Sequence, residues 1–297
     1  MTRHLAVAAS AQFPDLREDW PLLRAALSEY DVNAVAVAWT DPSVDWADYD
    51  LVLANGAWDY IHRLDEFLAW TDRVGALTRL VNRAPVLRWN ADKHYLADLA
   101  AAGVPVVPTT FVEARADADP DDSDITLPEE EFVVKPTVSG GAFQSGRYGA
   151  NEAPARARAH IAHLRAHGRS VMLQPYQHAV DREGETGLIF LDGTFSHAIA
   201  KAALLRLDTV PAADSFSSPA SIIPASASVA QFEVATAIIE AAQRLVGPIT
   251  YARVDLVPDE QGTPRLMELE VLEPALFLEL HAAAADTFAQ VLASTID

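Results

Sequence analysis

The chain has 297 residues of which 50% are hydrophobic, enough to bury one large core or two to three small ones, so wholesale disorder is excluded. Lys+Arg number 22 against 42 Asp+Glu, and a formal charge of −20 would repel a phosphate backbone, which argues against nucleic acid as the main partner. There is no cysteine, which excludes a disulfide-stapled domain, a thiolate zinc site, an iron–sulfur cluster and a cysteine nucleophile.

The opening MTRHLAVAASAQFPD has one short apolar run that stops at Pro14, neither a signal segment nor a span of roughly 20 apolar residues. A soluble cytoplasmic protein with no membrane partner is expected. Strand and helix signals then alternate: the run Leu5–Ser10, an amphipathic helix over Trp20–Tyr30, and a β-rich run at Val32–Trp39. A short strand, Leu51–Ala54, ends at Asn55–Gly56. One long helix carrying Leu64, Phe67, Leu68, Val74, Leu77 and Leu80 follows it. A small parallel-sheet α/β unit over 1–87 is the expectation.

Asp92 to Ala102 reads as a helix stopped by Gly103, and Val106–Val112 as a strand. Glu113 to Glu131 holds nine acids with Pro120 and Pro128, the pattern of a solvated loop. A strand at Phe132–Val134, a glycine-rich stretch 140–149, an Arg-rich helix Pro154–His167 and a strand Val171–Leu173 come next. Gly187–Leu191 and Phe195–Ala200 flank the turn Asp192–Gly193 as a hairpin. After a Ser/Pro/Ala loop near Ser215–Ala225, a helix Ala230–Leu245 leads to the strands Tyr251–Val257 and Arg265–Val271. No internal repeat is visible.

Of the basic residues only three are lysines, Lys93, Lys135 and Lys201. Lys135 ends a buried apolar strand and precedes Val138-Ser139-Gly140-Gly141-Ala142. A lysine there needs an anion, and the backbone N–H groups of a small-residue loop can approach phosphate oxygens. Simple turn chemistry is the plain alternative. Neither a Walker A motif, Gly-x-Gly-x-x-Gly, Gly-x-Ser-x-Gly nor His-Glu-x-x-His occurs. In the last two strands, alternation puts Arg253 with Asp255, and Glu268 with Glu270, on one face each. Carboxylates crowded in this way favour a hard cation such as Mg²⁺; otherwise they make a polar outer sheet face. His160, His163 and His167 share helical spacing, which fits a solvated helix side better than a metal face. Trp58 and Trp89 either line a pocket or pack a junction.

In order along 90–278, the chain carries Asn90-Ala-Asp-Lys93, Gly103-Val-Pro-Val-Val-Pro108-Thr109, Val134-Lys135-Pro136 with its Ser139-Gly-Gly loop, and Leu173-Gln174-Pro-Tyr176. Gly184-Glu185, the Leu191-Asp-Gly193 hairpin with Lys201, Arg253-Val-Asp255 and Glu268-Leu-Glu270 complete the series. This order resembles the ATP-grasp superfamily, in its branch similar to glutathione synthetase and the RimK-type ligases. The resemblance implies an ATP-grasp fold over 88–297 after the small domain, with a lid subdomain at about 106–173 and a hinge at 174–177. It implies that Lys93 and Lys135 contact the α- and β-phosphates and that the loop through Ser139, Gly140 and Gly141 covers the terminal phosphates. Gln174 and Tyr176 would meet adenine at the hinge, and Glu185 the ribose hydroxyls. Asp255, Glu268 and Glu270 would hold two Mg²⁺ ions, while Lys201 and Arg253 would stabilise charge on the transferring phosphoryl and acyl phosphate. One departure is Glu270, where the family usually has asparagine.

The implied activity is carboxylate–amine ligation through an acyl phosphate, which needs cations, metal and positioning but no side-chain nucleophile. The phrases Arg88-Trp-Asn-Ala-Asp-Lys-His-Tyr-Leu, Gln174-Pro-Tyr and Phe195-Ser-His197-Ala-Ile-Ala-Lys201 look like the subgroup containing the O-ureido-serine cyclo-ligases of cycloserine formation. The expected substrate is small and amino-acid-like, with Trp58, Tyr60, Arg63 and His197 as candidate contacts. An intermolecular dipeptide-type ligase and a non-catalytic ATP-binding regulatory module are the alternatives.

Overall fold

The computed structural model describes residues 2–12, 19–115, 125–149, 154–205, 207 and 221–296. The first unit alternates β1 (Arg3–Ala9), α1 (Asp19–Glu29), β2 (Val32–Ala38), β3 (Leu51–Gly56), α2 (Leu64–Leu77) and β4 (Arg79–Val81). Its four strands pair in the order β2-β1-β3-β4, all parallel. The run of buried residues in β1 has both faces covered, as parallel sheets require. On one face lie Phe67, Trp70 and Val74 at i, i+3 and i+7 of α2. Phe67 and Trp70 are fully buried, and each contributes about 2–3 kcal/mol of transfer free energy. Thr78 turns extended and ends α2, so Leu80, expected on the helix, sits instead on β4.

Two short helices, α3 (Ala84–Asn90) and α4 (Tyr95–Ala101), lead out of this unit. Lys93 therefore stands in the turn before α4, not within a helix opening at Asp92, and its backbone N–H donates to the Thr137 carbonyl at 3.0 Å. A second sheet holds β5 (Thr110–Val112), β6 (Phe132–Pro136), β7 (Gly146–Tyr148) and, after α5 (Pro154–Ala166), β8 (Val171–Pro175), in the antiparallel order β5-β8-β6-β7. The strand expected from Val106 begins only at Thr110. Val106 instead makes an isolated bridge to Leu266, tying this segment to the last sheet. The middle of the acidic stretch lies outside the described residues.

After α6 (Val180–Glu183), the third sheet collects β9 (Glu185–Leu191), β10 (Thr194–Lys201), β11 (Ile222–Ala225) and, beyond α7 (Val229–Val246), β12 (Tyr251–Pro258) and β13 (Pro264–Glu270). Its order is β11-β10-β9-β12-β13, antiparallel throughout. Asp192 and Gly193 have φ of 49° and 71°, the left-handed pair that lets a two-residue hairpin follow strand twist. The segment near Ser215–Ala225, expected to be loop, ends in the edge strand β11, and its earlier part lies outside the described residues. Helix α7 opens on a reciprocal Ser228–Gln231 capping box and stops at Gly247.

A terminal helix, α8 (Ala284–Ile296), was not anticipated. Its Phe288 and Leu292 join Leu5, Val7, Leu23 and Leu53 of the first unit and Ile189 and Tyr251 of the third sheet in one core. Among the described residues no helix is long and apolar enough to cross a membrane.

Two buried asparagines fix the first unit and the α3 turn to the third sheet. Asn82 Nδ2 donates to the carbonyls of Tyr251 (3.0 Å) and Val271 (2.7 Å), and its Oδ1 accepts from Thr250 N–H at 2.7 Å. Asn90 bridges the Leu269 carbonyl and the Val271 N–H at 2.7 and 3.0 Å. Removing such a side chain strands several buried backbone groups. Asn82→Ala should lower unfolding stability by about 3 kcal/mol in urea titration; an unchanged midpoint would show that the clamp contributes nothing.

Candidate active site

The second and third sheets face each other across a cavity of about 490 Å³, a volume suited to a nucleotide-sized ligand. Its floor is the third sheet. Register places Arg253 beside Glu270 and Asp255 beside Glu268 across β12 and β13, with Gly187 of β9 on the other side of Asp255 and Glu185 beside Lys201 across β9 and β10. Because alternate residues share a face, one sheet surface carries all these charges.

They are joined as a network. Arg253 binds Asp255 through Nε at 2.9 Å and Glu270 through Nη2 at 2.5 Å, and donates from Nη1 to the Ala275 carbonyl at 2.9 Å. Lys201 reaches Asp255 at 2.8 Å and also pairs with Glu185. From the opposite side Lys93 reaches Glu268 Oε1 at 3.1 Å and the Ser139 carbonyl. Lys135 is buried and makes no ion pair among the described residues. Burial therefore lowers its pKa, only partly offset by Glu268.

Burial opposes every charge in the cavity, and neighbours decide the balance. For Asp255, Arg253 and Lys201 outweigh burial and hold the carboxyl at about 2. Glu268 is also held low, since Lys93 and Lys135 outweigh burial. Burial pushes Glu185 up to about 7 despite Lys201, and raises Glu270 despite Arg253. Glu273, which follows the end of β13, is pushed up to about 8 by burial and then by Glu270.

Over the charges lies the loop that follows β6. Gly141, Ala142 and Gln144 have φ of 54°, 54° and 51°, and between them Phe143 is buried against the first unit, edge-on to His62 at 5.1 Å. At the far end the wall is apolar: Val107, Val133, Tyr176 and Val180 form one cluster with Leu205 and Met267 packed on it. Gln174 Nε2 donates to Thr109 Oγ1 at 2.9 Å, Tyr176 O–H donates to Asp181 at 2.6 Å, and the Arg147 guanidinium lies 3.4 Å above the Tyr176 ring.

Every residue that the resemblance singles out for nucleotide, metal or charge stabilisation lines this one cavity. Of the candidate substrate contacts only Trp58 does. Tyr60 is buried in the core of the first unit, and Arg63 is folded onto Glu66 at 2.6 Å and over Trp39. His197 lines a separate surface groove, its Nε2 2.9 Å from the Leu276 carbonyl and its ring stacked on His281. Trp89 packs on the third-sheet core and donates to Asp98 at 2.8 Å. On α5, His163 and His167 are exposed while His160 turns in to Tyr148 at 2.9 Å. Glu273 and Arg147 escaped the sequence reading, because Glu273 lies beyond the alternation of β13 and Arg147 sits on a strand of three residues.

Residues 5–82 match the family model for the N-terminal domain of D-cycloserine synthetase DcsG. The cycloserine biosynthesis protein DcsG of Streptomyces lavendulae is 40% identical over 301 residues, covering 98% of each chain. The crystal structure of D-cycloserine synthetase DcsG superposes with a TM-score of 0.89 at 38% identity, over 99% of this chain and 100% of that one. An ATP-grasp RimK domain protein from Sphaerobacter thermophilus gives 0.64 at 19% identity, over 97% and 98% of the two chains. D-alanine–D-alanine ligase of Bacillus anthracis, complexed with ATP, gives 0.62 at 15% over 99% and 97%; these last two share the fold.

Two outcomes follow from the packing. A Cβ on Gly187 would stand 2.9 Å from Asp255 Oδ1 and 3.0 Å from Ile199, so Gly187→Ala should displace the carboxylate and cut ATP-dependent turnover about 100-fold without altering any charge. Unchanged kcat/KM would show that the position of Asp255 does not matter. Lys135→Ala should weaken ATP binding at least about tenfold by calorimetry; equal affinity would remove its phosphate role.

Proposed function

Since the chain belongs to the D-cycloserine synthetase DcsG family of ATP-grasp ligases, enzymes that form C–N bonds, we propose that it closes O-ureido-D-serine to D-cycloserine with ATP and Mg²⁺. The observation that carries this reading is that the chain's only three lysines all reach one cavity, together with Arg253. Scattered surface lysines would not converge in this way. In the proposed division, 1–87 form the N-terminal unit and 88–297 the ATP-grasp unit, with the lid at about 106–173 and the hinge at 174–177.

In the first step a carboxylate oxygen of the substrate bonds to the γ-phosphorus as the bond to the β-phosphate bridging oxygen breaks. ADP and an acyl phosphate result. The oxygen-linked nitrogen of the same molecule then attacks the acyl carbon, phosphate leaves, and the nitrogen gives up its proton. Substrate and product differ by a carbamoyl group, which water must remove as carbamate. Lys93 and Lys135 hold the α- and β-phosphates, while Lys201 and Arg253 face the charge that develops on the transferring phosphoryl and the acyl phosphate. The apolar wall at Val107, Val133, Leu205 and Met267 suits a base, with Gln174 and Tyr176 at the hinge and Glu185 toward the ribose. The loop at Ser139, Gly140 and Gly141 keeps water from the acyl phosphate.

Among the described residues no three carboxylates or imidazoles converge as a ready-made metal cluster. Mg²⁺ is usually held by one or two carboxylates plus phosphate oxygens and water. The carboxylates of Asp255, Glu268 and Glu270 line the same cavity and supply the right oxygen donors. They would hold two ions, which neutralise charge on the phosphates.

The test is ADP release with Mg·ATP across a panel of amino acids and O-ureido-D-serine, with products read by mass spectrometry. ADP and D-cycloserine are expected with O-ureido-D-serine alone. ADP only in the presence of two amino acids would overturn ring closure in favour of a dipeptide-type ligase. Asp255→Asn should lower kcat at least about 100-fold while the far-ultraviolet dichroism stays native; full activity would remove the proposed metal and charge site.

A further inference from the structure

We propose that Glu273 binds the ammonium group of the amino-acid substrate, being the one carboxylate of the cavity with no cation within ion-pair distance among the described residues; the assignment rests on the ligase reading above. The cavity is lined by the carboxylates Glu185, Asp255, Glu268, Glu270 and Glu273 and by the cations Lys93, Lys135, Lys201 and Arg253. Four of the five carboxylates have a cation within ion-pair distance: Glu185 and Asp255 on Lys201, Asp255 and Glu270 on Arg253, and Glu268 on Lys93. Among the described residues two charges are left over. Lys135 is the unpaired cation, and a phosphate is the anion it awaits. Glu273 is the unpaired anion. Since a nucleotide arrives with metal ions that cancel its own charge, the cation for Glu273 has to come with the second substrate.

Placement supports the same partner. Glu273 lines the cavity together with Trp58, Ala275 and Phe277, the last two on the same short segment of chain. A methyl on Gly140 would sit 3.5 Å from Glu273 Oε1, so the carboxyl adjoins the loop assigned to the terminal phosphates. Arg253 reaches the same segment through the Ala275 carbonyl and lies 5.8 Å from the Phe277 ring. An α-amino acid offers one ammonium and one carboxylate a short distance apart, and this part of the cavity offers the complement of each.

The carboxyl is also held in place. The backbone around it is pinned by Tyr251 O–H donating to the Leu272 carbonyl at 2.7 Å, Asn55 Nδ2 to Pro274 at 2.9 Å and Arg253 Nη1 to Ala275 at 2.9 Å. All three donors come from strands β3 and β12, so the position is set by rigid elements. Burial and Glu270 disfavour the ionised form of Glu273, with Lys93 opposing them in part, and an incoming ammonium would favour it.

The test measures, by calorimetry, binding of O-ureido-D-serine and of its deamino analogue 3-(ureidooxy)propanoate to wild type and Glu273→Gln, each held with Mg²⁺ and a non-hydrolysable ATP analogue. Wild type is expected to prefer the ammonium-bearing ligand by about thirtyfold or more and Glu273→Gln by less than about threefold. Nucleotide affinity should stay within about twofold, which also shows that the variant is folded. Glu273→Asp keeps the charge and should recover most of the preference. An undiminished preference in Glu273→Gln, no preference in wild type, or equal loss in both variants overturns the assignment. ADP release by wild type is recorded alongside. If O-ureido-D-serine yields no ADP, the ligase reading falls, while a preference lost in Glu273→Gln would still uphold Glu273 as the ammonium site.

Discussion

The pair of Arg253 and Asp255, buried side by side on one strand, is the interaction on which the site depends. Asp255 is only 1% exposed, and taking a carboxylate and a guanidinium that far from water costs several kcal/mol for each ion. The cost is offset only because both are multiply bonded: Asp255 meets Arg253 and Lys201, and Arg253 meets Asp255, Glu270 and a backbone carbonyl. A hydrophobic pair would hold β12 to its neighbours as well or better. The proposed function gives the ions a chemical reason, because they would place opposite charges within reach of a reacting phosphoryl group without any rearrangement of the strands.

The same network explains how the cavity can bury so many charges and, in the proposed function, still admit a polyanion. Without nucleotide, the lysines and carboxylates neutralise one another, so the fold does not carry a cluster of bare like charges. With nucleotide, each cation can exchange a carboxylate for a phosphate oxygen, and each released carboxylate can turn to a metal ion. The exchange is close to neutral in charge and needs only side-chain motion on rigid strands. Lys135 differs from the other lysines in having no carboxylate within ion-pair distance among the described residues, so Glu268 offsets its desolvation only in part and a bound anion would relieve the rest. That makes binding and neutralisation one event at this residue.

Much of this arrangement was legible in the sequence, for a definite reason. Strand alternation is short-range, so Arg253-Val-Asp255 and Glu268-Leu-Glu270 announce a shared face before any tertiary contact is known. The Asp192–Gly193 turn and the glycine after α7 are likewise local signals. What stayed hidden depends on contacts distant in sequence. Leu80 continues the helical period of α2, but pairing with β3 draws it into a strand. Helix α8 was overlooked, and its place against α1 and β1 is decided by a core assembled from both ends of the chain. Asn82 and Asn90 look like ordinary turn residues until the backbone of β12 and β13 is set beside them. Arg63 and His197 do not line the cavity, because a charged or aromatic residue near a motif in sequence need not face the same space.

The loop after β6 joins these levels. Its glycine and left-handed residues let the backbone pass close over the charges, while Phe143 turns away and is buried among the side chains of the first unit, with Arg169 5.3 Å over its ring. A loop made only of small residues would lose much entropy on ordering and gain little contact in return. One buried aromatic supplies about 2–3 kcal/mol of transfer free energy toward that cost. It also makes the position of this loop a shared property of two units, since Phe143 belongs to the core of the first unit and meets His62 edge-on. The acyl phosphate of the proposed function would require just this, because its lifetime against hydrolysis would depend on how completely the loop excludes water. In the proposed function the parallel sheet at the start of the chain, which holds none of the three lysines, would thus take part in the chemistry by anchoring this loop.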